Sequence, residues 1–345
     1  MRLLVALCGK LLGGLLLAVA ANAYAEEGQV SLDWLKIVAF AGHQTDYSGL
    51  FVYQYDNRVE TSRITHLAEA DSEYERIESL DGPKREIVRH HGHVWSYFNH
   101  KMVQVDSHQG RGRFPSLLPE QLSALSANYH ARQAGTERVA GYDAQVIVFQ
   151  PKDNLRYTHK IWAHTDSGLL LKAAVLGDKN QVVEQYAFTQ LQIGGRIDRS
   201  WVRKAASSRL GDEELLSGHP QDASAGKRGS DQSGPAETGM DVLHTNSGWV
   251  ADALPAGFKK TMEIQRPMRG KHAPVTQMVF SDGLSAISIF IEPDDGDEDD
   301  VDGLSSRGAV NLYHKVLDRH LITVVGEVPP RTVMQVFDSV RFSGR

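Results

Sequence analysis

The sequence predicts a mainly β protein of the α+β class, in which a large, curved antiparallel sheet with helices over its concave side precedes a smaller antiparallel α+β domain. Two observations carry this prediction. Between residues 74 and 98, β-rich runs follow one another through turns as short as Asp81-Gly82-Pro83, which leave no room for crossover helices. Between residues 207 and 247 the composition shifts to Ser, Gly, Asp, Lys and Pro, which is typical of a flexible linker.

The N-terminal residues 1–25 have the pattern of a secretory signal peptide. Arg2 and Lys10 precede an apolar run over residues 11–21, and the small residues before position 26 match the usual cleavage pattern. The run is about half as long as the roughly 20 residues that a membrane-spanning helix needs. We therefore expect export and cleavage after Ala25.

The expected mature chain, residues 26–345, is acidic and lacks cysteine. The full sequence has a formal net charge of −6, and loss of Arg2 and Lys10 with the leader changes it to −8. Affinity for nucleic acid depends on concentrated Lys and Arg, so we expect no nucleic-acid partner. The single cysteine, Cys8, lies in the leader, so we expect a fold stabilised by packing and not by disulfides.

We assign residues 26–203 to the first domain. Ser31 is the expected cap of a helix that carries a broad apolar stripe of Leu32, Trp34, Leu35, Ile37, Val38 and Ala39. The strand at residues 49–55 opens the sheet, and a short helix at residues 120–127 interrupts it, with Leu122 and Leu125 inward. We predict the other strands at residues 60–67, 74–80, 85–89, 94–98, 102–105, 137–139, 144–150, 157–164, 169–176 and 182–192.

Residues 204–248 are the predicted linker, and residues 249–345 are the second domain. A turn at residues 254–258 carries Phe258 as an anchoring aromatic residue. We predict strands at residues 259–266, 275–280, 284–292, 310–315 and 320–325, and an amphipathic helix at residues 331–340 with Val333, Val336, Phe337 and Val340 inward.

Catalytic and metal-binding motifs are not found. The sequence contains no G-x-S-x-G, H-E-x-x-H, Walker or G-x-G-x-x-G motif, so we expect neither an enzyme nor a cofactor. Histidines 90, 91, 93 and 100 lack the Cys or paired acid that would complete a tetrahedral site, and a solvated turn is the better interpretation. The acidic run at residues 294–300 lacks the glycine and glutamate of a calcium loop and is interpreted as a hairpin tip.

Aromatic residues are concentrated on several predicted strands. Such a set lines an apolar ligand cavity in some proteins, although aromatic strands more often form ordinary core. Both interpretations remain open for Phe51, Tyr53, Tyr55, Trp95, Tyr97 and Trp162.

Short motifs in both domains resemble one known family. In the first domain they are Asp81-Gly82-Pro83, followed by Arg85-Glu86 and Val88, and Ser96-Tyr97-Phe98. In the second they are the opening at residues 249–258, Ser281-Asp282-Gly283-Leu284 and Val325-Gly326-Glu327-Val328-Pro329-Pro330. With these motifs in this order, the chain resembles the RseB/MucB family of periplasmic regulators of sigma-E. The long Ser/Gly tract of the linker departs from that pattern.

The resemblance implies a fold, a location and a partner. It implies an N-terminal domain similar to the lipoprotein carriers LolA and LppX, an unclosed β-barrel with helices in its mouth, and a periplasmic location. It also implies that the chain binds the periplasmic domain of an RseA/MucA-like anti-sigma factor and shields it from site-1 proteolysis. Lipopolysaccharide or misassembled lipoprotein would release this repression of the envelope-stress response.

We expect acyl chains to lie on the aromatic face, with Arg76, Arg85 and Arg89 as partners of lipid phosphates. The anti-sigma peptide would lie between the domains and touch the second one, where Trp249 and Phe258 are the candidate contacts. The alternative is a periplasmic lipid or lipoprotein carrier without regulatory output, and self-association into a homo-oligomer stays open.

Overall fold

A computed structural model describes the chain over residues 28–69, 72–90, 93–98, 101–105, 113–202, 243–244, 246–266, 274–294 and 303–344. The predicted leader, nearly all of the predicted linker and most of the acidic run lie outside these residues. The described part forms two units, each built on its own antiparallel sheet. We call them the N-terminal unit, up to residue 202, and the C-terminal unit, from residue 243.

The described residues of the N-terminal unit form an eleven-stranded sheet in the order β6-β5-β4-β3-β2-β1-β11-β10-β9-β8-β7. Every pairing is antiparallel, and β6 and β7 are the two edges, so the sheet is unclosed as predicted. Its strands are β1 (Tyr47–Tyr55), β2 (Arg58–Glu69), β3 (Ser72–Ser79), β4 (Arg85–His90), β5 (His93–Phe98), β6 (Lys101–Val105), β7 (Tyr129–Val139), β8 (Tyr142–Pro151), β9 (Thr158–His164), β10 (Leu170–Leu176) and β11 (Val182–Ile193).

One face of this sheet, which we call the inner face, carries the main core. Ile64 of β2 lies opposite Ile77 of β3, which lies opposite Ile87 of β4, so these side chains share that face. Two helices, α1 (Leu32–Gln44) and α2 (Ser123–Asn128), cover the inner face through side chains that include Leu35 and Leu125. The prediction of helices over the concave side is therefore confirmed.

The described residues of the C-terminal unit form a seven-stranded antiparallel sheet in the order β12-β14-β15-β16-β19-β18-β17. Helix α3 (Pro330–Asp338) packs on β18 and β19, and Pro330 stands at its first turn, where a missing N–H is tolerated. The strands are β12 (Leu243–His244), β13 (Trp249–Ala251), β14 (Lys259–Arg266), β15 (Val275–Ser281), β16 (Ala286–Pro293), β17 (Gly303–Arg307), β18 (Val310–Leu317), β19 (His320–Gly326) and β20 (Val340–Phe342), the last paired with β13.

Several local predictions need correction. Strand β7 begins at Tyr129, eight residues before the predicted run, and β17 was not predicted because its residues are mostly exposed and lack alternation. Helix α3 ends at Asp338, and Val340 is buried from β20 instead. Leu32 and Ile37 are 54% and 50% exposed, so the buried stripe of α1 is narrower than predicted.

Within the residues described, none of the helices combines the length and the apolar character that crossing a membrane requires.

Candidate functional site

A cavity of about 660 Å³ lies between the inner face and the C-terminal unit. Its size is in the range of pockets that hold a single small ligand. Most of the residues that line it are apolar, and a few carry charged side chains. Five of the lining residues belong to the C-terminal unit, namely Leu284, Arg307, Ala309, Val310 and Glu327.

Aromatic rings form the floor of the cavity. The Phe114 ring lies 5.5 Å from Phe51 and 5.5 Å from Tyr186, and it stacks on Tyr186 at 13°. Phe188 packs against this group with its ring centroid 5.1 Å from that of Phe114, but it is not one of the lining residues. Phe114, Tyr186 and Phe188 were not among the predicted site residues, although Tyr186 and Phe188 alternate along β11 as Phe51 and Tyr53 do along β1.

The structure brings three of the nine predicted lipid-binding residues to the cavity lining, namely Phe51, Tyr53 and Arg89. Tyr55 shares their face, but it is 2% exposed and stacks on Tyr53 at 4.8 Å under the C-terminal unit. Arg85 has the inner-face register of Ile87 but lies at the exposed start of β4, outside the lining.

The other four lie on the opposite face, which we call the outer face. Trp95 pairs across strands with Val88, and Tyr97 packs in the outer cluster of Val88 and Leu67. Arg76 is ion-paired with Glu78 and Glu86 on that face. The prediction of one shared aromatic face is thus corrected, because Val94 of β5 lines the cavity and its neighbour Trp95 must point away.

Trp162 is also an outer-face residue. It belongs to a second core cluster with Val146 and Leu171. Its indole N–H donates to Glu137 over 2.7 Å, and the ammonium groups of Lys160 and Lys172 lie 4.6 and 4.5 Å from its ring centroid. These contacts account for Trp162 as a structural residue.

Two arginines mark one end of the cavity. Arg89 is ion-paired with Glu75, whereas Arg113 forms no ion pair with a described residue. Burial and the neighbouring Arg113 lower the pKa of Arg89 to about 10, and partial burial also lowers the pKa of Arg113. His159 lines another wall, and burial lowers its pKa to about 4, so it is neutral at pH 7.

A buried ion pair joins the two units. Arg156 Nε donates to Asp282 Oδ2 over 2.6 Å, and the side chains are 1% and 0% exposed. Tyr129 donates to the same oxygen over 2.9 Å, and burial beside Asp282 raises the pKa of its hydroxyl. Asp282 lies in the Ser281-Asp282-Gly283-Leu284 motif, between the strands predicted at residues 275–280 and 284–292. That motif therefore holds the second unit against the first.

The turn between β17 and β18 forms a further contact between the units. The backbone N–H of Ala309 donates to Glu184 Oε2 over 3.1 Å, and the Tyr53 hydroxyl donates to the same oxygen over 3.0 Å. Arg307 donates to the Tyr55 hydroxyl over 2.8 Å, with its guanidinium 4.8 Å from the ring centroid. We call residues 307–310 the closing turn, because three of them line the cavity.

The rim of this inter-unit contact is exposed. Arg331 of α3 donates to both oxygens of Asp178 over 2.6 and 2.8 Å, with side chains 40% and 61% exposed. A second, open groove of about 500 Å³ lies beside it along α3. It is lined by Ala253, Arg331, Met334, Gln335, Asp338 and Ser339.

The two predicted partner contacts, Trp249 and Phe258, are each 8% exposed and belong to the core of the C-terminal unit. Trp249 packs against His320 and Phe342, and Phe258 lies under the Arg156 guanidinium at 5.1 Å. Both side chains therefore pack inside the protein and leave little surface for a partner to contact.

Of the histidine cluster, residues 91 and 100 lie outside the described residues. His90 stacks on Tyr74 with ring centroids 4.0 Å apart, and His93 lies opposite it on β5. Among the described residues, no group of three His, Cys, Asp or Glu side chains is arranged to hold a metal ion.

Comparison with known proteins links both units to one family. The sequence models of the MucB/RseB N-terminal and C-terminal domains match residues 31–206 and 244–341. The chain is 30% identical over 339 residues to the sigma factor AlgU regulatory protein MucB of Pseudomonas aeruginosa, covering 96% of each. It is 25% identical over 332 residues to the sigma-E factor regulatory protein RseB of Haemophilus influenzae, covering 95% of each.

Solved structures agree. The chain is similar to MucB in the MucA/MucB complex of Pseudomonas aeruginosa, with 29% identity and a TM-score of 0.69 over 91% of this chain and 99% of that one. A second structure, of MucB in complex with MucA(peri), gives 28% identity and a TM-score of 0.66 with the same coverage. These relatives are regulatory proteins, which confirms the prediction that the chain is not an enzyme. The chain belongs to the MucB/RseB family.

Proposed function

We propose that the chain is a periplasmic regulator that binds the periplasmic domain of a membrane-spanning anti-sigma factor. It thereby shields that domain from site-1 proteolysis and represses a sigma-E type envelope-stress response. The observation that supports this best is the similarity to MucB, solved in complex with MucA(peri), over 91% of this chain and across both units. Cleavage of the leader after Ala25 and delivery to the periplasm are part of the proposal.

The partner segment would lie along the exposed rim between the units. Trp249 and Phe258 are buried, so the α3 groove is the better candidate contact, with Met334 41% exposed beside Arg331. An exposed apolar side chain in a groove suits the anchor of an extended peptide. Met334→Asp should weaken the complex, whereas Leu304→Asp, at a 48% exposed position on β17, is the matched control.

The deciding experiment is protease protection. The cognate anti-sigma periplasmic domain is incubated with its site-1 protease, with and without a stoichiometric amount of the mature chain. Slower cleavage in the presence of wild type or of Leu304→Asp, together with cleavage at the normal rate in the presence of Met334→Asp, supports both the regulatory function and the proposed contact at the α3 groove. If wild type does not slow cleavage and forms no complex with the anti-sigma domain on a sizing column, the proposed regulatory function is wrong.

Release by a lipid signal requires a ligand that binds better when the partner is absent, because only differential affinity shifts an equilibrium. The closing turn could transmit ligand binding to the partner site, because this turn belongs to the C-terminal unit and supplies part of the cavity wall. A ligand that needs more than the present volume would displace residues 307–310 and alter the rim where the partner is proposed to lie.

A cross-link tests this route, because the mature chain has no cysteine of its own. A Cβ at Gly308 would lie 3.1 Å from Tyr55 Cβ, and a shift of a few tenths of an ångström in the closing turn would bring the two Cβ atoms to the roughly 3.5–4.5 Å of a disulfide. The Tyr55→Cys, Gly308→Cys protein should lose release by lipopolysaccharide when oxidised and regain it with reductant. The Tyr55→Cys and Gly308→Cys single variants control for loss of the Arg307 contact and for crowding by a Cβ at position 308, which would lie 2.7 Å from Glu184 Oε2. Release that survives oxidation of the double variant contradicts the route.

The alternative, a lipid carrier without regulatory output, is favoured only by the cavity itself. A carrier would bind lipid and leave cleavage of the anti-sigma domain unchanged, so the protection assay also separates these two functions.

A further inference from the structure

Two histidines at the end of helix α1 face the same carboxylate. His43, in the last turn of α1, has its Nδ1 3.0 Å from Glu73 Oε2, and His66 of β2 has its Nε2 3.2 Å from Glu73 Oε1. The other ring nitrogen of His66, Nδ1, donates to the Thr45 carbonyl over 2.8 Å. Because Thr45 is the residue at which α1 ends, both histidines connect that end of the helix to the hairpin of β2 and β3.

We propose that His43, His66 and Glu73 form a pH-sensitive latch, which holds the C-terminal end of α1 on the sheet at acidic and neutral pH and loosens as pH rises further. We call these three residues the histidine latch. They lie outside the lining of the cavity and outside the α3 groove. Helix α1 covers the inner face through Leu35 and other apolar side chains, so the latch sets how firmly that face is covered.

The surroundings of His66 require its charged form. A neutral imidazole has one N–H donor and one acceptor nitrogen, whereas both nitrogens of His66 face acceptors, the Thr45 carbonyl and the Glu73 carboxylate. The ring is fully buried and stacks on Tyr47 with centroids 4.8 Å apart, which leaves little room for it to turn. Loss of the proton would therefore set a lone pair against Glu73 or release Thr45, and either change weakens the hold on α1.

His43 forms the more exposed arm of the latch. Its side chain is 43% exposed, and the hydrogen bond to Glu73 raises its pKa from 6.5 in spite of partial burial. A cation in the last turn also interacts favourably with the carbonyl groups at the end of a helix. Although partial burial opposes the effect, hydrogen bonds from the two histidines lower the pKa of Glu73 to about 2, so this carboxylate is charged at neutral pH.

Among the described residues, the other titratable groups that face the latch lie on β1, β3, β4 and the segment before α2. Tyr47 and Glu75 flank the buried histidine on the inner face, and Glu75 is paired with Arg89. Burial raises the pKa of the Tyr47 hydroxyl, and Glu120 adds to the attraction that raises the pKa of His43. Carboxyl groups ordinarily titrate near pH 4, so between about pH 6 and 9 the titration falls on the two histidines.

The latch opens toward alkaline pH. A histidine whose pKa is raised in the folded protein contributes stability that is full below pH 6.5 and is lost as pH rises through the raised value. Glu73 would lose its charge only as pH falls towards 2. The latch is therefore closed at about pH 6 and loosened above neutral pH.

Hydrogen exchange of the mature protein, followed by mass spectrometry, tests the latch. Exchange of peptides that cover the end of α1 is measured at about pH 6 and about pH 8.5 and is divided by exchange of the same peptides in the unfolded chain, which removes the intrinsic dependence on pH. In wild type, protection of these peptides should fall about tenfold, as expected when one charge-assisted hydrogen bond is lost. Peptides from β8 and β9 should keep their protection.

Two matched variants separate the latch from a general effect of charge. Glu73→Gln removes the carboxylate that both histidines face, so protection of the helix end should be low at both pH values. Glu69→Gln removes a carboxylate of similar exposure, 42% against 43%, from the same hairpin, and its partner Arg199 does not titrate in this range. This variant should behave as wild type. His43→Gln keeps the buried arm and should show a smaller fall than wild type.

Four results would overturn the inference. Equal protection of the helix end at both pH values in wild type would show that no latch titrates there. An undiminished fall in Glu73→Gln would assign the titration to another contact. Equal behaviour of Glu69→Gln and Glu73→Gln would show a general effect of charge. A fall in the β8 and β9 peptides as large as that in α1 would show global unfolding in place of local loosening.

Discussion

The buried ion pair between the units makes a quantitative prediction. Asp282 accepts hydrogen bonds from Arg156, from Tyr129 and, through Oδ1, from the backbone N–H groups of Leu284 and Ser285 at 3.0 and 2.9 Å. Asp282→Asn keeps an acceptor for the two backbone groups but removes the charge opposite Arg156. Breaking one partner of a buried pair costs roughly 3–5 kcal/mol, and because the turn is retained we expect about 3 kcal/mol.

Arg331→Ala is the matched control, because it removes an ion pair that joins the same two units at their exposed rim. Arg331 and Asp178 are 40% and 61% exposed, so solvent screening should limit the cost to about 0–1 kcal/mol. Urea unfolding of the mature proteins at pH 7 measures both losses in free energy. If Asp282→Asn costs no more than Arg331→Ala, burial does not determine the strength of inter-unit contacts, and the reasoning fails.

Three further predictions concern the cavity. The native pKa of His159 is about 4 and its unfolded value is 6.5, so the stability contributed by the neutral imidazole is full above pH 6.5 and is lost as pH falls towards 4. His159→Gln should therefore reduce the loss between pH 7 and 5 by about 2 kcal/mol, measured by urea unfolding. Phe114→Ala, at a 5% exposed position, should cost about 3 kcal/mol in the same assay and admit longer acyl chains in calorimetry. Gly308 has φ of +57°, and its Cβ would lie 2.7 Å from Glu184 Oε2, so Gly308→Val should open the closing turn and speed hexadecanoate entry in stopped-flow measurements. An unchanged entry rate would contradict this role of the turn.

Local patterns were sufficient to predict most strands of the fold. Alternation along β1 put Phe51 and Tyr53 on the same face, and they line the cavity. Short turns such as Asp81-Gly82-Pro83 predicted the order of neighbouring strands, because an antiparallel sheet with tight turns keeps sequence neighbours adjacent. Strand β14 (Lys259–Arg266) has the predicted bounds.

Alternation could not relate the faces of different strands. A shift of one residue moves every side chain of a strand to the other face, and the register of β5 places Val94 inside and Trp95 outside. The prediction also included only one of the two arginines at the end of the cavity, Arg89, because Arg113 follows no strand pattern. Arg156 and Asp282 are 126 residues apart, so no local signal pairs them, and only the fold brings them together.

The strength of the inter-unit contact limits how a ligand can act through it. Moving a two-state equilibrium from 1:99 to 99:1 needs an affinity ratio of about 10⁴ between the states, whereas one charge-assisted contact supplies roughly tenfold. A ligand held by one such contact is therefore too weak an effector to separate units held by the buried pair of Arg156 and Asp282. It is strong enough to displace the closing turn, whose contact at Arg307 is largely exposed. We therefore expect a ligand to open one end of the contact between the units while the buried pair holds the other.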